Sequence, residues 1–388
     1  MDGKKNELSA YEASFCKLFC SRAAFGFWKG RVALYAILKA LDVGQGDEVI
    51  LPGYTCVMDV NPIKYLGAKP VYVDIEPVTY NIDVNLLEQK ITDRTKVIIA
   101  QHTYGYPCRM DTIMEISRRR GISVIEDCCL AFGSRYKQKM AGTFGRAAYF
   151  SFQWNKPFTT GIGGMATVNE RSLADKIAKI CRQQLCLPQL KTVLLLSVQR
   201  LVYHALIYPR TNALATSLFR WLTSKRVVVG SSSTCEFVPE MPDDFFMAMS
   251  GSQARAGLRQ LEKIDDNIAH RKQMAGLYEN LLSEVGWPSR KYDKSVMEPV
   301  LVRYPVRVSD KAKALAQAAR AGIELGSWFE SPLHPIKTAL DSYDYHLGMC
   351  PEAERASKEV VNLPLHPRVS EKTARRTVHF IDKFRQAD

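Results

Sequence analysis

Two polar residues stand where apolar runs end. Asp127 sits at the end of ISVIEDC (122–128), which reads as a buried strand, and Lys156 comes four residues after the apolar run AAYFSF (147–152). In a parallel α/β sheet both would project from the carboxyl edge of the strands, where such proteins place ligands. A lysine amine can form an imine with an aldehyde. A carboxylate can keep a pyridine nitrogen protonated, so that the ring accepts electrons from an adjacent carbon. Together these are the requirements of pyridoxal 5′-phosphate (PLP) chemistry. Neither residue is diagnostic alone, because an isolated lysine is usually a solvated surface group and an aspartate at a strand end usually caps the next element.

The elements that must position this pair follow from periodicity. From residue 31 to about 185, helical and strand patterns alternate with short Gly/Pro punctuation, the texture of a mainly parallel α/β sheet. Helices are expected at Arg31 to Val43, Val57 to Leu66 and over MDTIMEISRRR, and strands at Asp47 to Pro52, Lys69 to Ile75, Thr95 to Gln101 and Ile122 to Cys128. Ala147 to Phe152 and Gly164 to Val168 read as an antiparallel pair joined by a Gly-rich loop. After Glu236 comes one long helix-like stretch, SQARAGLRQLEKIDDNIAHRKQMAGLYENLL, then a strand at Val300 to Val308 and a helix near Lys311 to Ala321. The division expected is a large cofactor-binding α/β domain over 1–240, with an insertion at about 186–235, and a smaller C-terminal α+β domain over 241–388.

Composition sets the outer bounds. With 388 residues, 46% hydrophobic and 24% charged, the chain can bury a large core without crosslinks. The ten cysteines show no CxxC spacing and no Cys/His metal pattern, so buried reduced thiols and no metal are expected. The N-terminal residues MDGKKNELSAYEASF contain no apolar signal region, which makes the cytoplasm the expected compartment. A net charge of +13 suits anionic partners. With no zinc-finger spacing, aromatic RNA-binding motif or continuous basic region, nucleic acid is not expected among them.

Part of that charge is concentrated. Between Arg182 and Cys235 stand seven basic residues and no Asp or Glu. Within this stretch Gln199, Arg200, Tyr203 and His204 form a polar stripe at helical spacing, with Leu194, Val198, Leu201, Val202 and Ala205 on the other side. Lys191 and Arg200 interrupt the apolar run too closely for a bilayer span. Two uses remain open: packing against the body or a second subunit, and peripheral membrane contact through 191–226.

An ordered series of motifs narrows the reading. VALYAILKALDVGQGDEVILPGYT (32–55), GAKPVYVDIEPVTYNID (67–83), HTYGYPCRMD (102–111), VIEDCCLAFGS (124–134), GTFGRAAYFSFQWNKPFTTGIGGM (142–165) and LPLHPRVSEK (363–372) run through the chain. Over about 28–385 the sequence resembles the DegT/StrS group of nucleotide-sugar aminotransferases. The resemblance implies the PLP-dependent transferase fold type I, a homodimer with active sites at the subunit interface, and transfer of an amino group from glutamate to a nucleotide-linked keto sugar, in amino-sugar or polysaccharide biosynthesis. By position it assigns Lys156 as the Schiff-base lysine, Asp127 as the pyridinium partner, Ser151 as a phosphate ligand, and Gly30 and Arg31 as the helix-start phosphate seat. A lysine at position 156 also separates the chain from related sugar dehydratases, which carry histidine there. His334 and Trp328 lie in the segment that contributes to substrate pockets in this group.

The sequence also departs from the pattern. Cys56 replaces an aromatic residue that would stack on the cofactor, a role for which Tyr54 and Phe132 are the nearby candidates. Leu130 and Ile162 replace polar cofactor or loop residues. Phe246 and Ala248 replace an Asn and an Arg of a segment that reaches the neighbouring subunit. A catalytically degenerate scaffold and an aminotransferase acting on a non-sugar ketone are therefore the competing readings.

Overall fold

The computed structural model describes residues 2–154, 156–206, 230 and 237–386. Its centre is a seven-stranded sheet in the order β1 (Ala23–Phe27), β10 (Gly164–Val168), β9 (Ala147–Ser151), β6 (Ser123–Asp127), β5 (Thr95–Gln101), β2 (Glu48–Pro52) and β4 (Lys69–Val73). Pairing is parallel from β9 through β6, β5 and β2 to β4, whereas β10 is antiparallel to both β9 and β1. All strands but β10 therefore present their carboxyl ends at one edge.

The apolar runs are continuous because the strands are covered on both faces. Val49, Leu51, Val97, Ile99 and Ile125 join the core built with α2 (Gly30–Ala40) and α3 (Val57–Tyr65). The alternate residues Ile50, Ile98 and Val124 join Ile113 and Ile116 of α5 (Met110–Arg120) and Val84 and Leu87 of α4 (Val84–Leu87) on the other face. Gly121 stops α5 with φ of 68°, a conformation glycine adopts without Cβ strain. Three arginines in its last turn complement the carbonyl end.

An element absent from the sequence reading covers the β1 side. α1 (Asp2–Phe19) places Tyr11, Phe15 and Phe19 against Phe132, Phe150, Phe152 and Phe158, an aromatic cluster buried behind the sheet. α8 (Gly251–Leu261) crosses it so closely that a Cβ at Gly257 would lie 2.3 Å from the Tyr11 ring. The expected long helix after Glu236 is in fact α8 and α9 (Ile264–Glu284). The break lets Ile264 turn into the aromatic cluster, and Asp265 and Asp266 favour a new helix start.

The remaining elements build the C-terminal part and the rim. β7 (Arg135–Tyr136) and β8 (Lys139–Met140) form a small sheet with β11 (Met297–Glu298), and β12 (Arg303–Arg307) pairs antiparallel with β14 (Val360–Pro364). The expected strand at 300–308 is thus shorter. α10 (Lys311–Arg320), α11 (Pro351–Glu359) and α12 (Glu371–Ile381) complete this region. β13 (Leu333–His334) pairs in parallel with β3 (Thr55–Cys56), bringing a C-terminal loop to the edge of the large sheet.

α6 (Arg171–Gln184) packs on α2. It is followed by α7 (Leu190–Leu206), which turns its polar residues inward. Gln199 is buried and Arg200 bonds the body, whereas Leu194, Val198, Leu201 and Val202 are exposed. The side chains of His204 and Ala205, and the rest of the expected membrane-contact stretch from residue 207, lie outside the described residues. No helix among the described residues is long and apolar enough to cross a membrane. The described cysteines are free thiols, and Cys20, in a turn just beyond α1, and Cys186, two residues beyond α6, are exposed rather than buried.

Candidate active site

The carboxyl edge of the sheet opens into a cavity of about 230 Å³. Gly30 and Arg31, after β1, Cys56, after β2, Asp127, at the end of β6, and Ser151, at the end of β9, all line it. Lys156 enters from the loop between β9 and β10, and Trp328 and His334 from the C-terminal part. The structure thus gathers Lys156, Asp127, Ser151, Gly30, Arg31, Cys56, Trp328 and His334 around one space.

Local contacts explain the placement. Asp127 is 4% exposed, and its Oδ1 accepts the Cys129 N–H at 2.8 Å, which orients the carboxylate. Lys156 places Nζ 5.2 Å from the centre of the Trp328 ring. Its loop is held by Phe152 N–H to Gly163 O at 2.9 Å and by Asn267 Nδ2 to Pro157 O at 2.8 Å. The start of α2 abuts the end of β9, since a Cβ on Gly30 would stand 2.9 Å from Ser151 Cβ and 3.1 Å from Phe150 O. The amino end of α2 and Ser151 therefore meet at one spot, which suits an anion such as a phosphate.

The C-terminal wall is pinned from behind. The Lys311 ammonium, 8% exposed, donates to Phe329 O and Ser357 O, both at 2.7 Å. Tyr104 Oη donates to Trp328 O at 2.5 Å. Burial lowers the His334 pKa to about 4, despite Glu330 nearby, so its ring is neutral at physiological pH.

Several lining residues carried no signal in the sequence. Asp59, in the first turn of α3, receives the Tyr149 hydroxyl at 2.9 Å. Burial, and next the Asp127 carboxylate, push its pKa up to about 7. Gln101 and Phe329 also line the cavity. The packing of α3 against β6 and β9 brings Asp59 inward.

Two expectations about aromatic stacking are corrected. Tyr54 is fully buried with its hydroxyl 2.8 Å from that of Tyr104, and Phe132 belongs to the cluster under α1. Neither lines the cavity; Trp328 and Phe329 are the aromatic groups that do, along with Phe237. Leu130 and Ile162 line it as apolar groups, and Cys56 keeps its thiol protonated, burial having raised its pKa to about 12. Phe246 packs against Phe27 and Tyr35, and Ala248 is buried, so that segment is used for packing.

His102, Glu126 and Cys128 approach one another closely enough to suggest a metal centre. His102 Nδ1 already accepts the Cys108 N–H at 3.0 Å, and Nε2 faces Glu126 at 3.1 Å. Glu126 also accepts the N–H groups of Gly142, Phe144 and Gly145. This is a saturated hydrogen-bond hub that ties the loop before β9 to β6.

A family comparison decides the class. The description of the DegT/DnrJ/EryC1/StrS aminotransferase family matches residues 2–190 and 236–382. The chain belongs to this family. Within the DegT/DnrJ/EryC1/StrS family it is 32% identical over 375 residues to GDP-perosamine synthase of Escherichia coli O157:H7, covering 95% of this chain and 88% of that protein. It is also 32% identical over 339 residues to the UDP-2-acetamido-2-deoxy-3-oxo-D-glucuronate aminotransferase of Pseudomonas aeruginosa, covering 87% and 79%. Among solved structures, the aminotransferase from Psychrobacter cryohalolentis shares the fold with a TM-score of 0.76 at 24% identity, over 97% of this chain and 90% of that one. Spr1654 from Streptococcus pneumoniae, solved in a PLP-form, shares it with a TM-score of 0.75 at 22% identity, over 97% and 90%. The fold is that of the PLP-dependent aminotransferases, with a mixed, mainly parallel sheet flanked by helices.

Proposed function

We propose that this aminotransferase holds PLP at the cavity and moves an amino group from glutamate to a keto sugar carried on a nucleotide. The observation that carries the reading is the convergence of Lys156, Asp127 and the Gly30/Ser151 seat on one space from separate segments. The residues present fit the cofactor: an amine, a buried carboxylate, and a seat so tight that a Cβ would fill it. PLP supplies, when bound, an aldehyde that takes an amine nitrogen and a ring that accepts electrons from the neighbouring carbon.

Each side chain then has a physical task. Lys156 anchors the cofactor and, when its amine is free, holds and moves a proton at the substrate carbon. Asp127 keeps a proton on the ring nitrogen, held in line by the Cys129 N–H. Gly30, Arg31 and Ser151 bind the phosphate. Neutral His334, whose Nδ1 accepts the Glu330 N–H at 3.3 Å, donates a single hydrogen bond from Nε2 to a sugar hydroxyl, and Trp328 covers the amine. The relatives' names place nucleotide-linked sugars among the substrates of proteins similar to this one, and the basic balance of the chain suits a diphosphate-linked acceptor. The working unit is a homodimer, as the resemblance implies, which light scattering of the purified protein checks.

Incubation with PLP, glutamate and a panel of nucleotide-linked keto sugars should release 2-oxoglutarate and yield an aminated sugar detectable by mass spectrometry. Cofactor binding with silence across the panel would instead favour a non-sugar ketone. No cofactor binding at all would favour a degenerate scaffold.

A further inference from the structure

α7 is inverted relative to an ordinary surface helix. Its inward side carries Leu196, fully buried, with Arg200 Nη1 donating to Ser252 O at 2.7 Å and Tyr203 Oη donating to Trp154 O at 3.2 Å. Its outer side carries Leu190, Leu194, Val198 and Leu201, spaced three or four residues apart, and Leu187 precedes it on the same course. Leu194 is 66% and Leu201 71% exposed. A helix facing water normally shows charge on that side.

We infer that the outer face of α7 docks onto an anionic phospholipid surface. Charge complementarity selects this occupant. From Gln183 to Cys235 the sequence has no acidic residue, and apart from Arg200, which turns inward onto Ser252, it carries Lys191, Arg210, Arg220, Lys225 and Arg226. An apolar stripe inside a stretch of one positive sign is the composition of a helix lying in the headgroup region. The seventeen residues of α7 extend about 25 Å, and no described helix can span a bilayer, so the helix lies along the surface. Residues 191–235 also fall outside the span matched by the family description. An interface shared by the family does not require them, which disfavours a second copy as the occupant.

The docked face bears on the active site. Leu196, with Val193 and Tyr203 beside it, packs on Trp28, Trp154 and Ile162, and Ile162 lines the cavity. Membrane contact would therefore hold the mouth of the site close to the lipid surface.

The test uses the full-length, cofactor-loaded protein and vesicles of either phosphatidylcholine alone or equal parts phosphatidylcholine and phosphatidylglycerol. Sedimentation with the anionic vesicles at low salt, weakening as salt rises, is expected. The Leu194→Glu/Leu201→Glu double variant should bind about tenfold more weakly or worse while keeping its thermal midpoint and amino-transfer rate. Leu194→Ser/Leu201→Ser, a gentler change, should fall between. Protein remaining in the supernatant with both vesicle types would overturn the inference, as would undiminished binding by the double variant. So would loss of protomer association in sedimentation velocity without any vesicle binding, which would assign the face to a second copy.

Discussion

Adding one methyl group to Gly30 separates the cofactor seat from the stability of the fold. The new Cβ would meet Ser151 Cβ at 2.9 Å, Phe150 O at 3.1 Å and Ser151 Cα at 3.3 Å. Each of these atoms belongs to a rigid strand end, so no flexible side chain can move aside. The nearest contact is roughly 0.6 Å short of the ~3.5 Å at which carbon atoms ordinarily rest. Relieving it costs about 1–3 kcal/mol by overpacking, offset by up to ~1 kcal/mol because alanine is the better helix residue. The net loss of stability is therefore about 0–3 kcal/mol, leaving the fold intact. The displacement falls between the first turn of α2 and Ser151, where both must meet one phosphate, so PLP affinity should drop by roughly tenfold to hundredfold. Gly276 in α9 is the control. A Cβ there meets nothing within 4 Å, so Gly276→Ala should gain ~1 kcal/mol with unchanged affinity. Thermal unfolding without cofactor and PLP titration of both variants supply the two readouts. A folded Gly30→Ala protein that binds PLP like the wild type would refute the reasoning.

Other outcomes follow from the same geometry. Asp127→Asn keeps an oxygen to accept the Cys129 N–H, so its thermal midpoint should hold while amino transfer falls roughly hundredfold to thousandfold, measured by 2-oxoglutarate release. Lys311→Met leaves Phe329 O and Ser357 O without their donor. It should cost about 2 kcal/mol in denaturant unfolding and raise KM more than it lowers kcat, because it loosens the Trp328 wall. His334 titrates at about 4 in the folded protein against ~6.5 when unfolded. Its contribution to stability is thus complete above pH 6.5 and is lost as pH falls towards 4, by roughly 3 kcal/mol. His334→Gln should flatten that limb of the stability curve, and an unchanged limb would assign the acid sensitivity to other groups.

The sequence was most legible where strands are buried on both faces. Continuous apolar runs with clear ends marked β5 and β10 at their observed bounds, and the helix over Met110–Arg120 likewise. Because Asp127 and Lys156 sit just past such runs, their common edge was readable too. Strand order was not, since nothing local tells β2 that it lies between β4 and β5. β1 was missed because AAFGF offers little to distinguish it, and its place depends on pairing with β10. Asp59 and Phe329 reach the cavity through packing between distant segments, β13 against β3 among them. The inversion of α7 was half legible: its two stripes were visible, but only the structure shows which one faces the body.

The central claim is that one lysine holds the cofactor. Borohydride reduction of the PLP-loaded protein, followed by peptide mass spectrometry, tests it most directly. The account predicts the reduced pyridoxyl group on the peptide containing Lys156 and its absence from Lys156→Ala. Finding it on Lys29, the other lysine lining the cavity among the described residues, or on no lysine at all, would contradict the account.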